Sequence, residues 1–178
     1  LGAVLARARA AGISQMVVTG ASREGSPKAL ALAQAHPGFL YATAGVHPHY
    51  ALEVTAEGLA ELRALHAHPE VLAVGECGLD YFRDLAPRPA QRRAFEQQLQ
   101  LAAELGKPLF LHQRDAHDSF MAIIADYRPH LAGASLTASR ATSASFAITC
   151  RSASPSASRA GSATSGGATT SGRSSGSS

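Results

Sequence analysis

The chain of 178 residues is of one-domain length, and its 46% hydrophobic content is enough to build a core. Charge is divided unevenly: residues 1–134 hold all 13 acidic residues and 12 of the 16 Lys and Arg, a net of −1, while 135–178 hold four Arg and no acid, giving +3 in total. The pI of 9.2 therefore arises in the tail, where arginines scattered among Ser, Ala, Thr and Gly form no basic face, which excludes reading the charge as a nucleic-acid footprint.

From Leu1 to Ala11, small and apolar residues alternate with Arg7 and Arg9 at helical spacing, and Gly12 supplies a stop. Met16 to Thr19 is a short, partly β-branched run of the kind found in strands buried on both faces. Ser26-Pro27 reads as the N-cap and first residue of a helix that continues to His36. The unit then recurs: strand Leu40 to Val46 with helix Ala56 to Ala67, strand Val71 to Gly75 with helix Pro89 to Leu105, and strand Leu109 to His112 with helix Ala116 to Tyr127. Strands alternating with helices of this length predict parallel βαβ units. Four such strands are half of an eight-stranded barrel, which takes about 250 residues, and an open doubly wound sheet explains the alternation equally well. The segment after the first strand, TGASREG, carries no glycine-rich phosphate fingerprint.

Two cysteines, Cys77 and Cys150, make neither a disulfide framework nor a metal-ligand spacing, so a reducing compartment is the expectation. No apolar run reaches the roughly 18 residues of a membrane span, and no signal-peptide pattern opens the chain. A soluble, cytoplasmic protein with no membrane partner is expected. The first residue is Leu1 rather than Met, which suggests a start further upstream.

Parallel α/β folds build their active sites at the C-terminal ends of strands, and here those ends are polar. His47-Pro48-His49 follows one strand, Glu76 with Asp80 and Tyr81 the next, and His112 with Arg114 and Asp115 the last. A His, a Glu and a His on one rim form a donor set suited to a divalent metal. His66, His68 and His36 precede strands and so belong to the opposite, stability face. Cys77 reads as a small buried thiol, and Arg88, Arg92 and Arg93 as a solvated helix face.

The segments GVHPH (Gly45 to His49), VGECGLDYFRD (Val74 to Asp84) and PAQRRAFEQQLQLAAELGKPLFLHQRDAH (Pro89 to His117) resemble the TatD family of metal-dependent hydrolases and deoxyribonucleases, over a stretch from Leu1 to about Gly133. The resemblance implies an α/β fold, a partial TIM-type (β/α)8 barrel with about four parallel strands present and a disordered C-terminal tail. It implies an enzyme hydrolysing phosphodiester bonds of DNA, with two divalent ions per complete site, magnesium or manganese, zinc being an alternative. Residue by residue, it makes Glu76 the bridging carboxylate and catalytic group, and His112 a ligand of the second metal. His47 and Arg114 become substrate-phosphate contacts, and Asp80 a brace for the loop carrying Glu76.

The family's His-x-His pair on its first strand, and a later His and Asp, have no counterpart in this chain, so two of six ligands are identified and the chain is expected to be inactive. Residues 1–134 are expected to form a partial hydrolase domain and 135–178 a low-complexity tail. With suitable synonymous codons, the tail read one base out of phase contains HCFTG, IGVTGW and ICDERRG in family order, which suggests an insertion or deletion near Gly133 or Ala134. Two alternatives stand beside the nuclease: a non-catalytic remnant of such a gene, and a metal-dependent hydrolase of the same fold acting on another ester or amide. Oligomeric state is not legible.

Overall fold

The computed structural model describes residues 1–138. Helix α1 (Gly2–Ala10) leads into β1 (Met16–Val18), α2 (Gly25–Ala35), β2 (Leu40–Ala44), α3 (Ala56–Leu65), β3 (Val71–Asp80), α4 (Arg88–Leu105), β4 (Leu109–Arg114), α5 (His117–Tyr127) and β5 (Ala134–Ala138). Every element expected from hydrophobic periodicity is present. The sheet runs β1-β2-β3-β4-β5, with each neighbouring pair parallel. A doubly wound sheet reverses its strand order at a switch point, whereas this one advances without reversal, as barrel winding requires. The fold is thus a partial TIM-type barrel, and the open-sheet alternative is removed.

The four expected strands are all present, and the described sheet adds β5 along the edge of β4. β5 has no hydrophobic signature because its pairing is a main-chain matter: β4 presents an open edge, and Leu109, Phe110 and Leu111 take Ala134, Ser135 and Leu136 as partners. Its residues from Ser135 to Ala138 fall in the segment expected to be tail. The remainder of that segment, with its expected disorder, lies outside the described residues.

One face of the sheet meets the helices. Along β4, Leu109, Leu111 and Gln113 are buried while Phe110, His112 and Arg114 remain partly exposed on the other face, as two-residue periodicity dictates. The helix-facing layer holds Phe95 and Leu99 of α4 against Phe120, Ile123 and Ile124 of α5, and the Phe95 and Phe120 rings stack at 5.0 Å. Side chains of this size contribute about 1.5–3 kcal/mol each on full burial.

Two local differences from the expected elements shape the site. β3 does not stop at Gly75 but runs to Asp80, with a register irregularity between Val74 and Cys77. Gly75 (φ +132°) and Gly78 (φ +146°) allow this, since a Cβ would meet the Phe110 carbonyl at 2.0 Å and the His112 carbonyl at 1.9 Å. Residues that read as strand breakers therefore carry the strand forward and set Gly78 opposite His112 and Asp80 opposite Arg114. Ser26 is not the cap of α2. The helix begins at Gly25, whose N–H is accepted by Ser22 Oγ, and the buried Ser26 hydroxyl instead donates to the Gly45 carbonyl and accepts the Gly45 N–H, both at 3.1 Å.

Candidate metal centre

His47 follows β2 and precedes Pro48, which disfavours helical geometry and leaves it extended (φ −62°, ψ 148°) as the cap of a 3-10 turn, Pro48–Glu53. Its N–H donates to the Ala21 carbonyl at 2.8 Å, and its Nδ1 accepts the His49 N–H at 3.2 Å. Glu76 sits in the irregular part of β3, its N–H donating to the Gly20 carbonyl at 2.8 Å. His112 lies on the partly open face of β4 with Nδ1 3.4 Å from Glu76 Oε1 and its ring 4.2 Å from that of His47. Donor atoms of His47, Glu76 and His112 all lie within 4.8 Å of one another. Residues far apart in sequence, one just after β2 and two within β3 and β4, thus converge on one point.

Asp80 stands behind this group, with a side chain 1% exposed. Its Oδ1 accepts the N–H groups of Phe82 (3.1 Å) and Arg83 (2.9 Å), closing the turn after β3, while Oδ2 lies 2.8 Å from His49 Nε2 and 3.3 Å from His112 Nε2. Burial pushes its pKa up, but the Arg83 N–H, the bond with His49 and the charges of His112 and His49 outweigh that and hold it below the usual carboxylate value. His47 moves the other way for an imidazole: burial first, then His112 and His49, bring it down to about 4, so its ring is neutral at neutral pH.

A match to the TatD related DNase family model extends over residues 1–162. The chain belongs to this family. It is 50% identical over 131 residues to the 3'-5' ssDNA/RNA exonuclease TatD of Pantoea vagans (strain C9-1), covering 74% of this chain and 50% of that protein. It is 52% identical over 134 residues to the protein of the same name from Enterobacter lignolyticus (strain SCF1), covering 75% and 51%. The crystal structure of YJJV, a TatD homolog from Escherichia coli K12, superposes with a TM-score of 0.65 at 32% identity, over 71% of this chain and 49% of that one. An uncharacterized amidohydrolase from Saccharomyces cerevisiae does so with a TM-score of 0.59 at 29% identity, over 67% and 42%. The chain spans about half the length of the curated relatives it matches.

The donor set of this TatD-family chain fits a divalent cation on its own chemistry. His112 turns one ring nitrogen toward each of two carboxylates, and its buried Nε2 has no hydrogen-bond partner. A neutral imidazole carries one N–H and one nitrogen lone pair, so that lone pair faces a carboxylate unless a cation or a proton intervenes. Neutral His47 offers a further lone pair, and Glu76 a charge.

Among the residues expected at the site, His47, Glu76 and His112 come together, with His47 near enough to share a cation with the other two rather than only flanking a substrate. Asp80 touches His112 directly. Arg114 lies further along the same face of β4, its guanidinium 3.7 Å from the centre of the Phe82 ring. His66 is a buried structural residue, Nε2 3.0 Å from the Ala44 carbonyl, and Cys77 is a free buried thiol.

Sequence reasoning passed over Gln91 and Gln98, both fully buried on α4. Gln98 Oε1 accepts the Val46 N–H at 2.8 Å and its Nε2 donates to the Val46 carbonyl at 3.0 Å, which fixes the residue before His47. Gln91 does the same to Asp80. The signal was available: these glutamines recur seven apart on the stripe of Ala94, Phe95, Leu99 and Ala102, where an apolar face has no other use for an amide.

Proposed function

We propose that this chain supplies the His47, Glu76 and His112 part of a divalent-metal phosphodiesterase site that acts on a nucleic-acid strand. The observation carrying the proposal is the convergence of those three donor groups within 4.8 Å, one just after β2 and the others in the C-terminal halves of the neighbouring parallel strands β3 and β4. The names of the Pantoea and Enterobacter relatives, which specify single-stranded DNA and RNA exonucleases, support the substrate class. Magnesium or manganese suits the carboxylate-containing set and the phosphate oxygens of such a substrate; zinc would also accept the two imidazoles.

When bound, a divalent ion would supply Lewis-acid polarisation of a phosphoryl oxygen and a lowered pKa for water. The chain's residues do the positioning. Glu76 contributes the charge, held by its backbone bond to Gly20. Asp80 pairs with His49 by a hydrogen bond and sets its negative charge 3.3 Å from His112 Nε2, which orients both rings. His47 stays neutral through burial and so remains available as a donor atom or as a hydrogen-bonding group toward a phosphate. Arg114 places a permanent positive charge on the same strand face two residues beyond His112.

Isothermal titration of the chain with manganese chloride, and separately with magnesium chloride, tests the metal reading. Binding that is lost in Glu76→Gln and in His112→Ala supports it; equal heats in wild type and both variants sink it. Cleavage of an end-labelled single-stranded oligonucleotide, set against amide and carboxyl-ester substrates, then separates the phosphodiesterase reading from another hydrolase of the same fold. Metal binding without turnover of any substrate is the result expected of a non-catalytic remnant.

A further inference from the structure

We propose that Phe82 and Arg114 form a stacking platform for one unpaired nucleobase beside the metal centre. The inference rests on the nucleic-acid reading above and adds to it the residues that would recognise a single strand.

Phe82 is 55% exposed, and its ring belongs to neither of the apolar clusters that make up the core of the described residues. The ring packs on Arg114 rather than in the core, and its exposure leaves part of it open to a ligand. It is held in place. Its N–H donates to Asp80 Oδ1 at 3.1 Å, and the Arg114 guanidinium lies over the ring at 3.7 Å. Both residues are tied to the site by chain geometry. Phe82 is two residues beyond Asp80, which touches His112, and Arg114 is two residues beyond His112 on the same face of β4.

An aromatic ring with a guanidinium against it offers a base a flat apolar partner, and offers the adjoining phosphate a cation. A base inside a duplex has both faces covered by its neighbours, so the platform selects strands whose bases can turn outward. Stacking of this kind tolerates any base, because each has a π-face.

The test is binding of a short single-stranded oligonucleotide carrying 2-aminopurine, followed by fluorescence quenching and anisotropy without added metal. Wild type and Phe82→Tyr are expected to bind and to quench the probe. Phe82→Leu is expected to bind about tenfold more weakly and to lose the quenching. An oligonucleotide with an abasic position in place of the probe base, followed by an end label, is expected to bind wild type and Phe82→Leu alike.

Equal affinity and quenching in wild type and Phe82→Leu would overturn the platform, as would failure of wild type to bind the oligonucleotide. Manganese titration of the same samples separates the two readings. Intact metal binding with no effect of Phe82→Leu removes the platform and leaves the metal site standing, and a circular-dichroism melt unchanged by Phe82→Leu assigns any weaker binding to the ring rather than to unfolding.

Discussion

Gln91 grips Asp80 by both ends of its amide: Oε1 accepts the Asp80 N–H at 2.9 Å, and Nε2 donates to the Asp80 carbonyl at 3.2 Å. The same Nε2 also reaches the Ala86 carbonyl at 2.8 Å. One fully buried side chain therefore satisfies the main chain at the end of β3 and in the loop that follows. Gln91→Leu fits the volume but strands those groups away from water, at about 1–3 kcal/mol for each one left unpaired. A loss of about 3 kcal/mol is expected in urea denaturation followed by circular dichroism, against almost none for the exposed Arg92→Leu on the same helix. A shift below about 1 kcal/mol would mean that the loop finds other partners.

His66, bonded to the Ala44 carbonyl and outside the donor group, gives the fold an acid sensitivity. Burial, followed by the neighbouring Lys107 charge, lowers its pKa from 6.5 to about 4, although its bond to the Ala44 carbonyl acts in the opposite direction. The unfolded chain therefore takes up this proton at higher pH than the folded one does. Stability is fully present above pH 6.5, falls as pH drops from there toward 4, and the whole interval is worth about 3 kcal/mol. Urea midpoints measured at steps between pH 7.5 and 4.5 should decline in wild type and decline less in His66→Gln. Parallel declines in the two proteins would show that other groups set the acid limit.

Cys77 is fully buried on β3, and burial, with the adjacent Glu76 charge, pushes its thiol well above the usual value. A thiolate is the reactive form, so this side chain should resist an alkylating reagent in the native protein and react once urea is added. Mass spectrometry of the peptide containing Cys77 reads the outcome directly. Rapid native modification would mean that β3 opens far more often than its packing implies.

The alternation of strands and helices was legible because each segment carries its own period, but the winding was not. Strand order depends on which edges meet, and no local pattern separates an arc of a barrel from an open sheet. The glycines misled for a related reason: Gly75 reads as a terminus, yet its backbone freedom lets β3 pass close to Phe110 and deliver Glu76 and Asp80 along the strand itself. β5 was invisible because its pairing to β4 uses main-chain groups that every residue possesses. The strand-end His47, Glu76 and His112 stood out, since polar residues at the ends of apolar runs need a reason. Gln91 and Gln98 escaped notice because their partners are backbone groups distant in the chain.

The segment after Gly133 invites a test outside the protein. We propose that the coding frame changes near Ala134, on the ground that a neighbouring frame can be written with HCFTG, IGVTGW and ICDERRG in order. The family match continues through residue 162, while the two curated relatives align over 131 and 134 residues. Sequencing the parent DNA across the junction is expected to reveal one of those motifs in the adjacent frame. An intact frame whose neighbours encode none of them would end the proposal.

Asp80→Asn separates the electrostatic role of this carboxylate from its structural one. The amide oxygen can still accept the Phe82 and Arg83 N–H groups, so the turn after β3 is retained. The other position becomes an NH2 donor facing His49 Nε2 and His112 Nε2, and the negative charge that orients both rings is gone. Manganese affinity is expected to fall by about tenfold, the scale on which partners of metal-binding histidines act. The urea midpoint should move less than in Gln91→Leu. Unchanged manganese binding in Asp80→Asn would show that His112 is held by its own strand alone, and that Asp80 serves the turn and nothing more.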